Sequence, residues 1–305
     1  MKRVLLTGAS GFIGRHALSA LLARGYEVHA VSSKPVAAEL QFEGVRWHHA
    51  DLLAGQGTRL VNLIGPTHLL HLAWYTAPGK FWASAENLRW VQASLELLGG
   101  FAECGGRRAV VAGSCAEYDW QHGICSEETT RLAPATLYGA CKQGLGLIFE
   151  AFARQMGMSA AWGRIFFLYG PYEYPERLVA SVVRALLQNE RARCSHGEQV
   201  RDLLFSQDVG EAFVALLDSE VTGAVNIASG NAVALRDVVA RIGEKLGRQD
   251  LIQLGALSVP ANDPPVLVAD VSRLREEVGW QPRYDLERGL DATIRWWTEQ
   301  LREKS

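Results

Sequence analysis

The sequence has no CxxC pair among its five cysteines (Cys104, Cys115, Cys125, Cys141 and Cys194), and no cysteine–histidine spacing of the kind that holds zinc. The odd count gives no complete disulfide framework, so a reduced, cytoplasmic setting is expected and a metal site is not. A long basic block is missing as well: 31 Lys and Arg stand against 33 Asp and Glu, a formal net charge of -2. A nucleic-acid partner would need an electrostatic footprint of that kind. No apolar stretch reaches the roughly 18 residues that a membrane span requires. The opening MKRVLLTGASGFIG carries two basic residues ahead of an apolar run, as a signal peptide does, but Gly8, Gly11 and Gly14 interrupt it. The expectation is a soluble chain with no membrane partner.

What is present is ample core material. At 48% hydrophobic over 305 residues, the chain can bury one large core or two unequal lobes. The run 4–7 is apolar and ends in glycine, as a buried parallel strand would. Residues 12–24 then carry Ile13, Ala17, Leu18, Leu21 and Leu22 at helical spacing. Further strands are read at 26–31, 45–49, 68–72 and 108–112, with long helices at 81–98 and 135–156. Alternating strand and helix implies an α/β fold with a parallel sheet covered on both faces. Beyond Arg164 the rhythm weakens, and a smaller lobe is expected from 166–305. The segment 206–230, with a strand at 224–228, is expected to return to the first lobe, 1–165.

The glycines Gly8, Gly11 and Gly14 sit between a strand and a helix, where backbone can approach a pyrophosphate resting on a helix N-terminus. NAD sites of this kind usually close the second strand with a carboxylate for the ribose diol. Here Ser32, Ser33 and Lys34 occupy that end. Two hydroxyls and a cation suit a 2′-phosphate, so NADP(H) is the expected cofactor and NAD(H) the alternative, unless Lys34 simply extends into solvent.

Tyr138 and Lys142, four apart, share a face of one helix. A phenol beside an ammonium is expected to lose its proton more easily than a free one, and so to exchange it with a carbonyl or alcohol oxygen. Ser114, at the end of the strand at 108–112, supplies a second hydroxyl. His68 and His71, three apart on a strand, face opposite ways and make no metal pair.

Together, Gly8, Gly11, Gly14, Asp51, HLAW at 71–74, Asn87, Ser114, Tyr138, Lys142, RDLLFSQDVGEAF at 201–213 and VADVSRLREEVGW at 268–280 resemble the extended short-chain dehydrogenases/reductases, over essentially the whole chain. The resemblance implies a Rossmann doubly wound sheet with a smaller α/β lobe for a nucleotide-diphosphate sugar. It implies a dinucleotide held by Gly8, Ser10, Gly11, Phe12, Ile13, Gly14, Ser32, Ser33, Lys34, Asp51, Leu52, Leu72, Ala73 and Trp74, with Tyr138 and Lys142. Tyr138 would be the acid/base, Lys142 would hold the nicotinamide ribose, Ser114 would bond the reacting oxygen and Asn87 would support them. Arg201 would meet the substrate diphosphate, with Tyr75, Cys115, Phe167 and Leu178 beside the sugar. A homodimer through the helices at 81–98 and 135–156 is also implied, with Gly139, Gly144 and Gly146 allowing close approach.

Departures from the family pattern narrow the chemistry. The 4,6-dehydratases carry acid after the catalytic hydroxyl, where this chain has Cys115 and Ala116. The 3,5-epimerases place a cysteine where Ala116 stands and a histidine where Tyr172 stands. Phe167 replaces a frequent asparagine, and Pro260 a second phosphate-binding arginine, for which Arg191, Arg193 or His196 are candidate substitutes. The aromatic loop 74–82 lines the sugar pocket or packs between lobes, and Cys115 is either a contact or a small core residue. The expected activity is NADPH-dependent reduction of a nucleotide-linked 4-keto-(6-deoxy)sugar. A 4-epimerase with tightly held NAD and a non-catalytic NADP-binding sensor are the alternatives.

Overall fold

The computed structural model describes residues 2–260 and 263–303; Met1, Ala261, Asn262, Lys304 and Ser305, which fall within the expected lobes, lie outside the described residues. In chain order the first part comprises β1 (Arg3–Thr7), α1 (Gly14–Ala23), β2 (Glu27–Ser32), β3 (Val45–His49), α2 (Gly57–Ile64), β4 (His68–His71), α3 (Glu86–Glu103) and β5 (Arg108–Ser114). A two-residue β6 (Ile124–Cys125) precedes α4 (Leu137–Met156) and β7 (Ser159–Ile165). Then come β8 (Phe167–Tyr169), α5 (Leu178–Leu187), β9 (Ala192–Arg193), β10 (Val200–Phe205), α6 (Ser206–Asp218) and β11 (Gly223–Ile227). The chain closes with β12 (Ala232–Ala234), α7 (Leu235–Leu246), β13 (Ile252–Gln253), β14 (Val266–Ala269) and α8 (Leu286–Arg302).

Seven strands form one parallel sheet in the order β11-β7-β5-β4-β1-β2-β3. Neighbouring residues on its strands bury opposite ways, as a period of two demands. Val4 and Leu6 of β1 join Leu70 of β4 and Val110 of β5 under α1 and α6, whereas Leu5, Leu69, Ala109 and Val111 lie under α2, α3 and α4. Both faces are covered, which is why these strands read as continuous apolar runs. The order reverses between β1 and β4, where Thr7 pairs with His71, and at such a switch point the carboxyl ends of the strands open a crevice. His71 is buried there between Thr7 Oγ1 (2.6 Å) and Ser94 Oγ (2.8 Å). Burial pushes its pKa down to about 3, so the ring is neutral. His68 points the other way, its ring against Tyr26.

β10 lies at the centre of a smaller sheet with β12, β14 and β8, and packs with α5, α7 and α8 around a separate core containing Val183, Ile242, Leu290 and Trp297. Trp296, on the rim, stacks on Tyr172.

A buried polar network joins the two parts behind the end of β5. Glu117 accepts from the Ser114 backbone N–H (2.7 Å), from Trp162 Nε1 (2.9 Å) and from Arg164 Nε (2.9 Å). Arg164 also donates to the Tyr118 hydroxyl (3.0 Å), which donates to Asn226 of β11 (2.8 Å). Asn226 in turn reaches the carbonyls of Cys125 and Asp270 in the other part. Gly113 makes room for this: a Cβ there would fall 2.1 Å from Trp162 Nε1.

Two expectations about helices are corrected. α3 begins at Glu86 instead of 81, because residues 77–82 turn tightly (Phe81 N–H to Ala77 O, 3.1 Å) and give Phe81 and Trp82 to the Tyr138 ring. Gly139 and Gly146 of α4 serve packing within the chain, not approach by a second copy. A Cβ on Gly139 would meet Ala116 O at 2.2 Å, and one on Gly146 the Trp162 ring at 3.0 Å; only Gly144 has open space.

Breaking the network should be costly, because it strands a guanidinium and two N–H donors in the interior. Glu117→Ala is expected to lower the unfolding free energy by ~3–5 kcal/mol in urea titration, and Glu117→Gln, which keeps an acceptor oxygen, by less.

Candidate active site

A cleft of about 460 Å3 runs from the turn after β1, past the ends of β4 and β5, to β10. Its first wall is the glycine loop. Gly8 holds φ +69, and a Cβ on it would lie 2.8 Å from Ala73 N; a Cβ on Gly14 would lie 2.1 Å from Gly8 O. Only glycine lets the loop and the start of α1 pack this closely, leaving a cradle of backbone at a helix N-terminus. Gly11, Phe12, Ile13, Leu72, Ala73 and Trp74 line the same wall. Ser10 Oγ lies 3.2 Å from Ser32 Oγ, which donates to Lys34 O (2.8 Å); Ser33 and Lys34 are exposed beside them. Asp51 is exposed and caps a short turn by accepting from Leu53 N–H, while the Leu52 side chain is buried in the core.

The middle of the cleft is built by the end of β5 and the start of α4. Thr136 caps α4 through Gly139 N–H (3.1 Å), and the Tyr138 N–H donates to Trp82 O (3.1 Å), so the helix enters with Tyr138 facing the cleft. Ser114 and Tyr138 both line the cleft here, and the Ser114 hydroxyl opposes the effect of burial on the phenol. Lys142 donates to Ala112 O (2.7 Å), with its ammonium 3.7 Å from the Trp74 ring centre. Asn87 is fully buried. It accepts from Trp74 Nε1 (2.8 Å) and donates to the carbonyls of Phe81 (2.7 Å) and Ser84 (2.9 Å), so it fixes the ring under Lys142 and the turn beside Tyr138.

The electrostatics correct one expectation. Burial among Phe81, Trp82 and Ala116 pushes the Tyr138 phenol up, not down, and Arg177 is the cation that opposes this. Burial likewise pulls the Lys142 ammonium down to about 7. A low-polarity site disfavours the charged form of each group, and here that outweighs the opposing pull of Arg177 on the phenol and of Glu117 on the ammonium.

The far end holds Arg201, buried beneath the cleft floor. It donates to Asp263 Oδ1 (2.7 Å) and to Val200 O, with its guanidinium 5.1 Å from the Phe167 ring centre. Phe167, Leu178 and Cys115 also line the cleft, the Cys115 thiol pushed up by burial. Tyr75 packs into the aromatic cluster instead. Arg191, Arg193 and His196 are exposed on the β9 side and do not line the cleft. Tyr172 turns away from it, its ring between Arg15 and Trp296.

Three residues went unread in the sequence. Glu173 and Arg177 line the cleft, and Asp263 neutralises Arg201. The first two follow directly on the Gly170-Pro171 turn, a signal that they belong to a loop over the strand ends.

A Rossmann-like sheet with a glycine loop at its switch point defines an α/β protein with a dinucleotide cradle. Residues 4–228 match the NAD dependent epimerase/dehydratase family, and the chain belongs to it. It is 26% identical over 325 residues to dTDP-glucose 4,6-dehydratase of Xanthomonas campestris, covering 96% of this chain and 92% of that protein. It is 23% identical to UDP-glucuronate 4-epimerase of Thermodesulfobacterium geofontis, covering 97% and 96%. Among solved structures, MoeE5 in complex with UDP-glucose and NAD is similar at 28% identity and a TM-score of 0.85, covering 99% and 100%. Among the described residues no helix is long and apolar enough to cross a membrane.

Lys142 generates a stability prediction. Between about 7 in the folded protein and 10.5 in the unfolded chain, the unfolded chain binds the extra proton, so stability rises with pH across that window and is least below it. Lys142→Met should therefore stabilise the fold by ~1–3 kcal/mol at or below neutral pH. Unfolding midpoints of the two proteins should converge as pH rises.

Proposed function

We propose that this chain reduces a nucleotide-linked 4-keto sugar, of the 6-deoxy class, using NADPH. The observation that carries the reading is the pair of hydroxyl residues, Ser114 and Tyr138, lining one cleft, with Cys115 and Ala116 offering no acid at the strand end. In this reading the dinucleotide lies along the loop Gly8–Gly14, with its adenosine end at Ser10, Ser32, Ser33, Lys34 and Asp51. When bound, it supplies hydride to the ketone carbon. Tyr138, kept protonated by burial, donates its proton to the ketone oxygen while Ser114 hydrogen-bonds the same oxygen. Lys142 holds the ribose from its seat on Trp74, and Asn87 positions that seat. Arg201 takes the substrate diphosphate by exchanging Asp263 for phosphate, a swap between two anions on one guanidinium. The hydroxyl-rich end of β2 and Lys34 favour the 2′-phosphate over a bare ribose diol. Five unpaired thiols suit a cytoplasmic setting.

A second reading, a nucleotide-sugar 4-epimerase that retains NAD, is supported by the epimerase among the relatives and needs the same proton transfer. The two separate cleanly in solution. Reduction predicts loss of NADPH absorbance with a nucleotide-linked 4-keto sugar. Epimerisation predicts NAD carried through purification and 4-hydroxyl interconversion with none added. A protein that binds NADPH and turns over nothing would be the sensor. For the reductase, Tyr138→Phe should cost ~10²–10⁴ in rate with NADPH affinity unchanged, and full activity in that variant would remove the reading.

We also propose a homodimer through α3 and α4, whose outer faces leave Leu88, Leu147 and Ile148 exposed. Leu147→Glu is expected to give a monomer by light scattering where the parent chain gives a dimer.

A further inference from the structure

Glu173 has no place in the chemistry above, yet it is among the most confined carboxyl groups in the molecule. It lies in the loop between β8 and α5, lines the cleft, and is only 6% exposed. Its Oε2 is buried and has no hydrogen-bond partner. The loop that carries it is anchored from behind: its neighbour Tyr172 is held by Arg15, 3.5 Å from the ring centre, and by Trp296. Arg177, one turn on, lies 5.7 Å from the centre of the Phe81 ring that packs on Tyr138, which puts this loop on the Tyr138 side of the cleft. A buried polar atom without a protein partner, facing a cavity, is a place where a ligand atom belongs.

We propose that Glu173 is a sugar-recognition residue, its carboxyl group hydrogen-bonding a hydroxyl of the sugar carried by the bound nucleotide. The assignment rests on the nucleotide-sugar reading. A carboxylic acid has one O–H donor and a carbonyl acceptor, which together match the donor and acceptor of a hydroxyl. Phe81, Phe166 and Leu203 give the same cleft apolar wall beside its polar groups.

Burial pushes the Glu173 pKa up to about 8, against the opposing pull of Arg177 and of the Gly170 and Ala180 backbone. The donor form therefore prevails below that value and is lost above it. The charged and titratable groups around it are Tyr172, Tyr174, Glu176 and Arg177 from its own loop, and Arg15 and His16 from α1 behind the loop. Tyr138, Lys142 and the Arg201–Asp263 pair complete the set around the cleft. Lys142 titrates nearby, but it is the same in every variant below.

The test is calorimetric binding of UDP, UDP-glucose, dTDP and dTDP-glucose to the full chain loaded with NADPH. Glu173→Ala should weaken the sugar nucleotide about tenfold or more while leaving the diphosphate alone unchanged. Glu173→Gln keeps a donor and an acceptor at every pH. It should bind the sugar nucleotide as the parent does one unit below about 8, and hold that affinity one unit above, where the parent weakens. Infrared difference spectra of the parent against Glu173→Gln should show the carbonyl stretch of a protonated acid at neutral pH, a check on the group itself. Equal loss of diphosphate and sugar nucleotide, no loss of either, or a Gln variant with the parent's pH dependence would each overturn the assignment. A parent chain that binds none of the four ligands would instead overturn the nucleotide-sugar reading and the assignment with it.

Discussion

The reacting end of the sheet depends on one buried carboxyl group. A parallel sheet delivers its functional side chains at strand ends, where the ladder of hydrogen bonds stops and the backbone would otherwise be free to wander. Glu117 replaces the missing ladder at the end of β5. By accepting from Ser114 N–H, Trp162 and Arg164, it clamps the turn after β5 to the neighbouring strand β7. Through Arg164, Tyr118 and Asn226 the clamp continues to β11 and to the carbonyls of the smaller sheet. Buried networks of this kind are strong only when every member is satisfied, and here no side-chain atom of Glu117, Tyr118, Trp162, Arg164 or Asn226 is left buried without a partner.

The side chains in front of that clamp are buried, and burial sets their protonation. Burial lifts the Tyr138 phenol and the Glu173 carboxyl and depresses the Lys142 ammonium, so all three lean toward their neutral forms. In the proposed reaction that suits a phenol that gives up a proton to an oxygen as charge develops there, since the proton must be present beforehand. It also leaves the guanidinium groups Arg177 and Arg201 as the fixed positive charges lining the cleft, one in its middle and one at its far end.

The aromatic lining belongs to the same design. Trp74, Phe81 and Trp82 exclude water while doing positional work: Trp74 seats the ammonium of Lys142, and Phe81 and Trp82 meet the Tyr138 ring edge to face. Asn87 spends its side-chain amide on holding them.

The alternation of apolar strands and amphipathic helices, the glycine spacing at 8–14 and the Tyr138–Lys142 pair were legible in the sequence. Each is local: a period of two or four, or a turn only glycine can make, is written in consecutive residues. A parallel sheet covered on both faces and the family follow from that pattern, although the strand β7 was not among those read. What only tertiary structure decided is long-range. Glu117 looks like an ordinary surface acid until β7 brings Trp162 and Arg164 to it. Asp263 meets Arg201 across more than sixty positions of chain, at a separation of 62. The direction of the Tyr138 shift turned on how completely residues from three separate segments exclude water, and burial is a property of the assembled cleft. Glu173 becomes a partnerless group in a cavity only once the loop after β8 folds over the strand ends.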